Sequence, residues 1–191
     1  MNKTPFLSLY ENKEAKENKS ISIDDYISFV RVGNNSSLVI DARLARQQGN
    51  EELYKQIKYT SPLVTGSCTF TSGEKKIAQN ISSLNGLIII DIDNDQVTDE
   101  LKTRLQHDQH TYIMHQSFGG GQNYCIFVKI DSNRFEDSFE NLAQYYFSTY
   151  GIKIDLACKN KNRLRFLSYD EEIYVNDSAK RWKATKPKNT E

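Results

Sequence analysis

The chain has 191 residues, 38% of them hydrophobic and 26% charged, with a formal net charge of zero. A chain of this length and mix fits one soluble domain with a sizeable core. It has no apolar run long enough to span a membrane and no global charge to attract nucleic acid.

Residues 7–10 read as a short strand and 11–20 as a polar loop. Ser22 is placed to cap a helix that carries Ile23, Tyr26, Ile27 and Val30 on one face and stops near Gly33. Residues 38–48 and 51–58 read as two further helices, broken at Gly49-Asn50 and ended by Pro62. Residues 65–71 are rich in β-formers. From Gly86 a regular pattern begins: strand 87–93, then a helix capped by Thr98 with Leu101 and Leu105 inward, then strand 111–116. A glycine loop follows, then strand 124–130. Next comes a long helix capped by Ser132 or Asn133, with an apolar stripe of Phe135, Phe139, Leu142, Ala143, Tyr146 and Phe147. Gly151 closes it. Strand 152–156 and strand 163–167 are expected to form a hairpin turning near Asn160. The order β-α-β-β-α-β is that of ferredoxin-like and RNA-recognition-motif (RRM) folds. The expected fold class is therefore α+β, an RRM-like core with an N-terminal helical and strand extension. The whole chain is expected to be a single domain: a mainly helical N-terminal region over residues 1–61, a core over residues 62–175 and a basic, flexible tail over residues 176–191.

The three cysteines, Cys68, Cys125 and Cys158, are odd in number and widely spaced. They predict free thiols in a reducing cytoplasm, not a disulfide scaffold or a zinc site. His107 and His110 flank a helix end with no cysteine near them in sequence. The N-terminus lacks the apolar segment of a signal peptide.

Three stretches carry candidate chemistry. In the first, Leu87-Ile88-Ile89-Ile90-Asp91-Ile92-Asp93-Asn94-Asp95, an apolar strand runs into an Asp-Ile-Asp. Residues i and i+2 of a strand share a face, ~6.6 Å apart, so Asp91 and Asp93 project together. Two ionised carboxylates side by side call for a cation between them. Hard oxygen ligands suit Mg²⁺ or Mn²⁺. The bland alternative is a strand end whose acids face water. The second stretch is Ser117-Phe118-Gly119-Gly120-Gly121, where the glycines let backbone N–H groups converge on a phosphate; the alternative is a long hairpin connection. In the third, Asp155 and Arg165 are expected to lie opposite one another across the hairpin, either gripping triphosphate oxygens or holding two strands in register. Lys159, Lys161 and Arg163 add a basic cluster there, and Lys180, Arg181, Lys183, Lys186 and Lys188 form another in the tail.

These motifs together resemble the archaeo-eukaryotic primase superfamily, and within it the VirE N-terminal-type primase domains of bacterial mobile elements. Residues 62–70 are similar to that family's entry strand. Strand 87–93 resembles its first motif and Ser117–Cys125 its second. Asp155 with Asn162-x-x-Arg165 resembles its third, and residues 166–170 with 174–176 resemble its domain ending. The second motif departs from the pattern: Tyr124 and Cys125 stand where the family has a His or a basic residue. The resemblance implies a primase or primase-polymerase that extends a strand from NTP or dNTP on a single-stranded DNA template. It implies Asp91, Asp93 and Asp155 as catalytic ligands of two metal ions. Ser117, Gly119, Gly120, Gly121, Asn162, Arg163 and Arg165 would form the nucleotide site. Lys159 and Lys161 would contact nucleic acid, and a separate helicase or replication protein would be a partner. Two other readings stay open: a primase-derived module that only binds nucleic acid or protein, and a metal-dependent nuclease. A nuclease has no need of a triphosphate cradle.

Overall fold

The computed structural model describes residues 4–93 and 97–185. Asp95, Lys186 and Lys188 lie outside the described residues. The fold is α+β, with five α-helices and antiparallel sheets among the described residues. The first sheet has the order β2-β1-β3-β9, formed by β1 (Phe6–Tyr10), β2 (Lys19–Ser22), β3 (Leu63–Thr65) and β9 (Leu164–Phe166). The second has the order β10-β7-β8-β6, formed by β6 (Leu87–Ile92), β7 (Thr111–Gln116), β8 (Tyr124–Lys129) and β10 (Tyr174–Val175). β4 (Cys68–Phe70) and β5 (Ile81–Leu84) form a separate ribbon.

The helices follow their local signals. α1 (Ile23–Val32) opens with a reciprocal capping box between Ser22 and Asp25 and ends at Gly33, whose φ of 75° suits glycine. Its buried residues are Ile23, Tyr26, Ile27 and Val30, as the sequence pattern requires. α2 (Ser36–Gln47) and α3 (Glu51–Thr60) are separate helices, the second capped by Asn50. Thr98 caps α4 (Asp99–Gln106), which buries Leu105. α5 (Phe135–Tyr150) starts later than expected: Asp131, not Ser132 or Asn133, caps a short 3₁₀ turn that leads into it. Phe147 leaves the expected stripe and stands 55% exposed, because the helix buries only the narrower row through Phe139, Leu142 and Tyr146.

Strand β6 divides the core. Ile88, Ile90 and Ile92 pack with α4 and α5, while Leu87 and Ile89 face α1 and the first sheet. All six residues of β6 are buried, so the continuous apolar run is the mark of a strand covered on both faces.

The expected hairpin of residues 152–156 with 163–167 does not form. After Gly151 the chain runs extended beside β6, where Asp155 N–H donates to the Asp91 carbonyl, and then coils into a 3₁₀ turn, Leu156–Lys159. β9 crosses to the first sheet and pairs with β3, setting Arg165 opposite Val64. The side chain of Asp155 explains the turn: it accepts from Ala157 N–H at 2.9 Å, a local bond that competes with continued strand. The chain after 175 also departs from expectation. Asn176, Lys180 and Trp182 donate backbone bonds to Tyr112, Gln109 and Lys129, so residues 176–185 are strapped to the second sheet. The first sheet draws strands from both ends of the chain, so the N-terminal region and the expected core share one sheet.

Phe139→Ala and Leu142→Ala should each cost about 2–5 kcal/mol in urea melts. Phe147→Ala should change stability by no more than about 0.5 kcal/mol, since its ring is mostly in water. Equal losses at all three positions would refute this orientation of α5.

Candidate functional site

A cavity of about 550 Å³ opens at the end of β6. Asp91 and Asp93 line it from one side. Arg163 lines it from just before β9 and Arg165 from within β9, and Ser117 and Gly119 from the loop between β7 and β8. α2 and α3 contribute Arg46, Tyr54 and Lys58. Both aspartates thus border the cavity, Asp91 buried within β6 and Asp93 exposed just past its end.

The ion pairs differ from expectation. Arg165 pairs with Asp91 through Nη2 and Oδ1, not with Asp155. Arg163 Nη2 bridges two carboxylates, 2.6 Å from Asp155 Oδ2 and 3.4 Å from Asp91 Oδ2. The reason is the missing hairpin, since Arg165 rides β9 in the first sheet and meets β6 across the interface between sheets. Two guanidinium groups thus hold the positive charge that two neighbouring carboxylates demand. Burial pulls the Arg165 guanidinium down to about 10, which leaves it cationic at neutral pH. Its Nη1 is buried and has no hydrogen-bond partner among the described residues.

Ligand atoms of Asp91, Asp155 and Cys158 lie within 4.8 Å of one another, a group able to hold a metal ion. Cys158 S–H points to Asp91 Oδ2 at 3.8 Å. Burial pushes its thiol up to about 12, so it stays protonated and is a poor ligand for a hard cation. Burial raises the Cys68 and Cys125 thiols too, and all three cysteines are free.

The glycine loop is built differently from a phosphate nest. Gly120 N–H closes a turn on the Ser117 carbonyl, and Asn123 Nδ2 donates to the Gly120 carbonyl. Gln116 Nε2 donates to the Gly121 carbonyl. Arg43 of α2 donates to the carbonyls of Ser117, Phe118 and Tyr169 and to Ser168 Oγ. Arg46 donates to the Gly119 carbonyl at 3.3 Å. A Cβ at Gly120 would stand 2.8 Å from Arg43 Cδ, so glycine there serves the close approach of α2. Ser117 and Gly119 reach the cavity, whereas Gly120 and Gly121 are not among its lining.

Other expected site residues are engaged elsewhere. Asn162 Nδ2 donates to the Lys76 carbonyl, away from the cavity lining. Lys159 pairs with Glu140 and Lys161 with Glu136, both on the surface of α5.

One histidine escapes a reading by motif position. His115 lines the cavity and stands directly across from Cys125 in the β7–β8 ladder. Strand alternation puts it on the face of Ile113, a signal available in the sequence. Its Nδ1 lies 2.8 Å from the Gln116 carbonyl, which can only accept, so Nδ1 carries the proton. Its Nε2 then accepts from Tyr26 O–H at 2.7 Å. Nε2 thereby ties the sheet to α1, while Nδ1 is spent on a carbonyl of its own strand, β7. The cavity residues Arg46, Tyr54 and Lys58 also went unread, because they come from helices outside the motif-bearing stretch. Lys58 Nζ stands 5.3 Å from the Tyr54 ring and 5.1 Å from the Phe166 ring, so this wall is cationic and aromatic.

Burial lowers the His115 pKa below its ordinary 6.5, ahead of the opposing bond to Gln116. The unfolded chain therefore takes up a proton that the folded chain refuses. Stability is complete above pH ~6.5 and falls below it, with a slope of at most ~1.4 kcal/mol per pH unit for one group. His115→Gln should flatten that portion of a stability–pH profile measured by denaturant titration. A slope unchanged by the substitution would assign it to other groups.

Arg165→Ala leaves the buried Asp91 short of its main partner and should cost about 3 kcal/mol or more. Arg163→Ala, at a half-exposed pair, should cost clearly less. Thermal melts of the two variants decide this, and a reversed order would contradict the assigned pairing.

No curated protein and no solved structure matches the chain. The model of the family described as BT4734-like, N-terminal domain, matches residues 56–175, from within α3 to the end of β10. The matched stretch holds Asp91, Asp93, the glycine loop, Asp155 and both arginines. It spans well over half of the chain, which therefore belongs to the BT4734-like N-terminal domain family.

Proposed function

We propose that this chain is a metal-dependent nucleotidyltransferase of the primase or primase-polymerase type, which uses NTP or dNTP on a single-stranded DNA template. The observation that carries this reading is the cavity, where Asp91 and Asp93 share one space with Arg163 and Arg165. Its volume of about 550 Å³ falls within the ~300–1,000 Å³ of small-molecule sites. Carboxylates beside guanidinium forks are the components that phosphoryl chemistry needs, since its catalysis is mostly positioning and charge stabilisation. A nuclease has no need of a triphosphate cradle. The finer fold is read the same way: β6, α4, β7, β8 and α5, with the extended segment beside β6, follow the order of an RRM-like core.

The donor set fits a hard divalent cation. Asp91 and Asp155 offer oxygens close together, Asp93 shares the cavity, and the nearby Cys158 is held as a thiol. Asp91, Asp93 and Asp155 would hold Mg²⁺ or Mn²⁺, which supplies neutralisation of phosphate oxygens when bound. Arg165 and Arg163 would grip the outer oxygens of the triphosphate, the first with its unpartnered Nη1. Ser117 and Gly119 would bound the phosphate end of the cavity. Tyr54 and Phe166 would offer faces to the base.

A second reading has its own observation. Asp91 is already compensated by two guanidinium groups, as in a cross-sheet clamp. A clamp of that kind suits a module that binds nucleic acid or protein without synthesis.

Template-directed synthesis on single-stranded DNA, with Mg²⁺ and with Mn²⁺, separates the two. Asp93→Asn is the informative variant because Asp93 is exposed and its loss should spare the fold. Activity should drop by at least roughly 10- to 100-fold, the range seen when even a group supporting a metal ligand is removed. Wild-type protein that neither synthesises nor binds nucleotide with Mn²⁺ would sink the enzyme reading and favour the binding module.

A further inference from the structure

A second surface lies at the other end of β7 from the cavity. His115 faces the cavity, and His110, just before the start of the strand, borders an open groove of about 500 Å³. The two histidines are roughly 17 Å apart at ~3.4 Å per residue of strand. The groove is lined by Gln109, His110, Lys180, Arg181, Trp182 and Lys183, with no carboxylate among them.

The strap that carries these cations is a built feature. Lys180 N–H donates to the Gln109 carbonyl and Trp182 N–H to the Lys129 carbonyl, both close to 2.8 Å. Thr185 N–H donates to Asn141 Oδ1, and Arg134 Nη1 donates to the Ala184 carbonyl. Trp182 packs its ring 4.8 Å from His110 and 5.0 Å from Tyr145. An extended chain alternates its faces, so with Trp182 turned inward, Arg181 and Lys183 stand outward and exposed. Asp108, next to the groove residue Gln109 in sequence, is buried and accepts from Tyr145 O–H, Tyr150 O–H and the backbone N–H of His110. Its charge is absorbed there and does not cancel the strap. Lys159 and Lys161, by contrast, are paired with acids of α5.

We propose that this groove binds the phosphate backbone of single-stranded nucleic acid through Lys180, Arg181 and Lys183. Several cations on one docked strap suit a run of phosphates, and no large aliphatic side chain lines the groove to enter a lipid surface. The proposal does not rest on synthesis in the cavity.

The test is binding of a labelled oligothymidylate to the full chain by fluorescence anisotropy across a salt series. Arg181→Gln/Lys183→Gln should lower the slope of log K against log salt by about 1.4, or ~0.7 for each lost contact. Arg181→Lys/Lys183→Arg should restore it, as should be true of charge recognition. Lys159→Gln/Lys161→Gln should bind as wild type. In the unaltered chain, bound oligonucleotide should protect Lys180 and Lys183 from acetylation, a readout that needs no variant to fold. The proposal is overturned if wild type does not bind, if the double glutamine variant keeps the wild-type slope, or if these lysines stay unprotected. It is also overturned if phosphatidylserine vesicles bind and the oligonucleotide does not. Nucleotide binding with Mn²⁺ should be unchanged in the double glutamine variant, so failure here and failure of the cavity reading are told apart.

Discussion

A carboxylate buried between two sheets must have a cationic partner, and the Asp91–Arg165 pair supplies it. Asp91 sits on the face of β6 that otherwise presents Leu87 and Ile89 to the first sheet. Leaving it there alone would cost several kcal/mol, whereas a close guanidinium offsets most of that. The pair fixes β9 against β6 and so sets the distance between the sheets at the base of the cavity. Arg163 extends the arrangement to Asp155, which reaches the same point because the chain after α5 runs along β6.

This arrangement bears directly on the proposed activity. The site's acids and bases neutralise one another in the folded chain. A metal-bound triphosphate carries both signs, so the arginines would turn to phosphate oxygens as the carboxylates take the cation. Such an exchange keeps every buried charge paired, which is the condition for doing it at low cost. The remaining walls come from elements of different character. Arg43 and Arg46 of α2 hold the glycine loop by its carbonyls, and Tyr54, Lys58 and Phe166 make an aromatic, cationic side. The strap beyond β10 brings a second group of cations to the far end of β7, separate from these.

Local rules account for most single elements. The Ser22–Asp25 capping box, the Gly33 and Gly151 stops and the four-residue face of α1 involve contacts within a few residues, and the sequence displays them. The buried run of β6 is equally plain, because a strand covered on both faces reads as a continuous apolar stretch up to Asp91. α5 was legible except at its edges: Phe147 sits at the rim of the stripe, and burial there depends on what packs alongside.

What the sequence determined by itself was the helices α1 to α5, the α+β class, and the strands β6, β7 and β8. These follow from periodicity and capping, which act over one turn or one strand. What only the tertiary structure decided was partnership. Residues 152–156 and 163–167 have the composition of a hairpin, yet one coils at Asp155 and the other joins β3. That choice moved Arg165 from Asp155 to Asp91. It also left Asn162 on the Lys76 loop and Lys159 and Lys161 on the acids of α5. His115 entered the cavity from a neighbouring strand, and the basic tail docked up to residue 185. Strand pairing and ion pairing between distant segments are settled by the free energy of the whole packed core, and a local pattern carries no record of it.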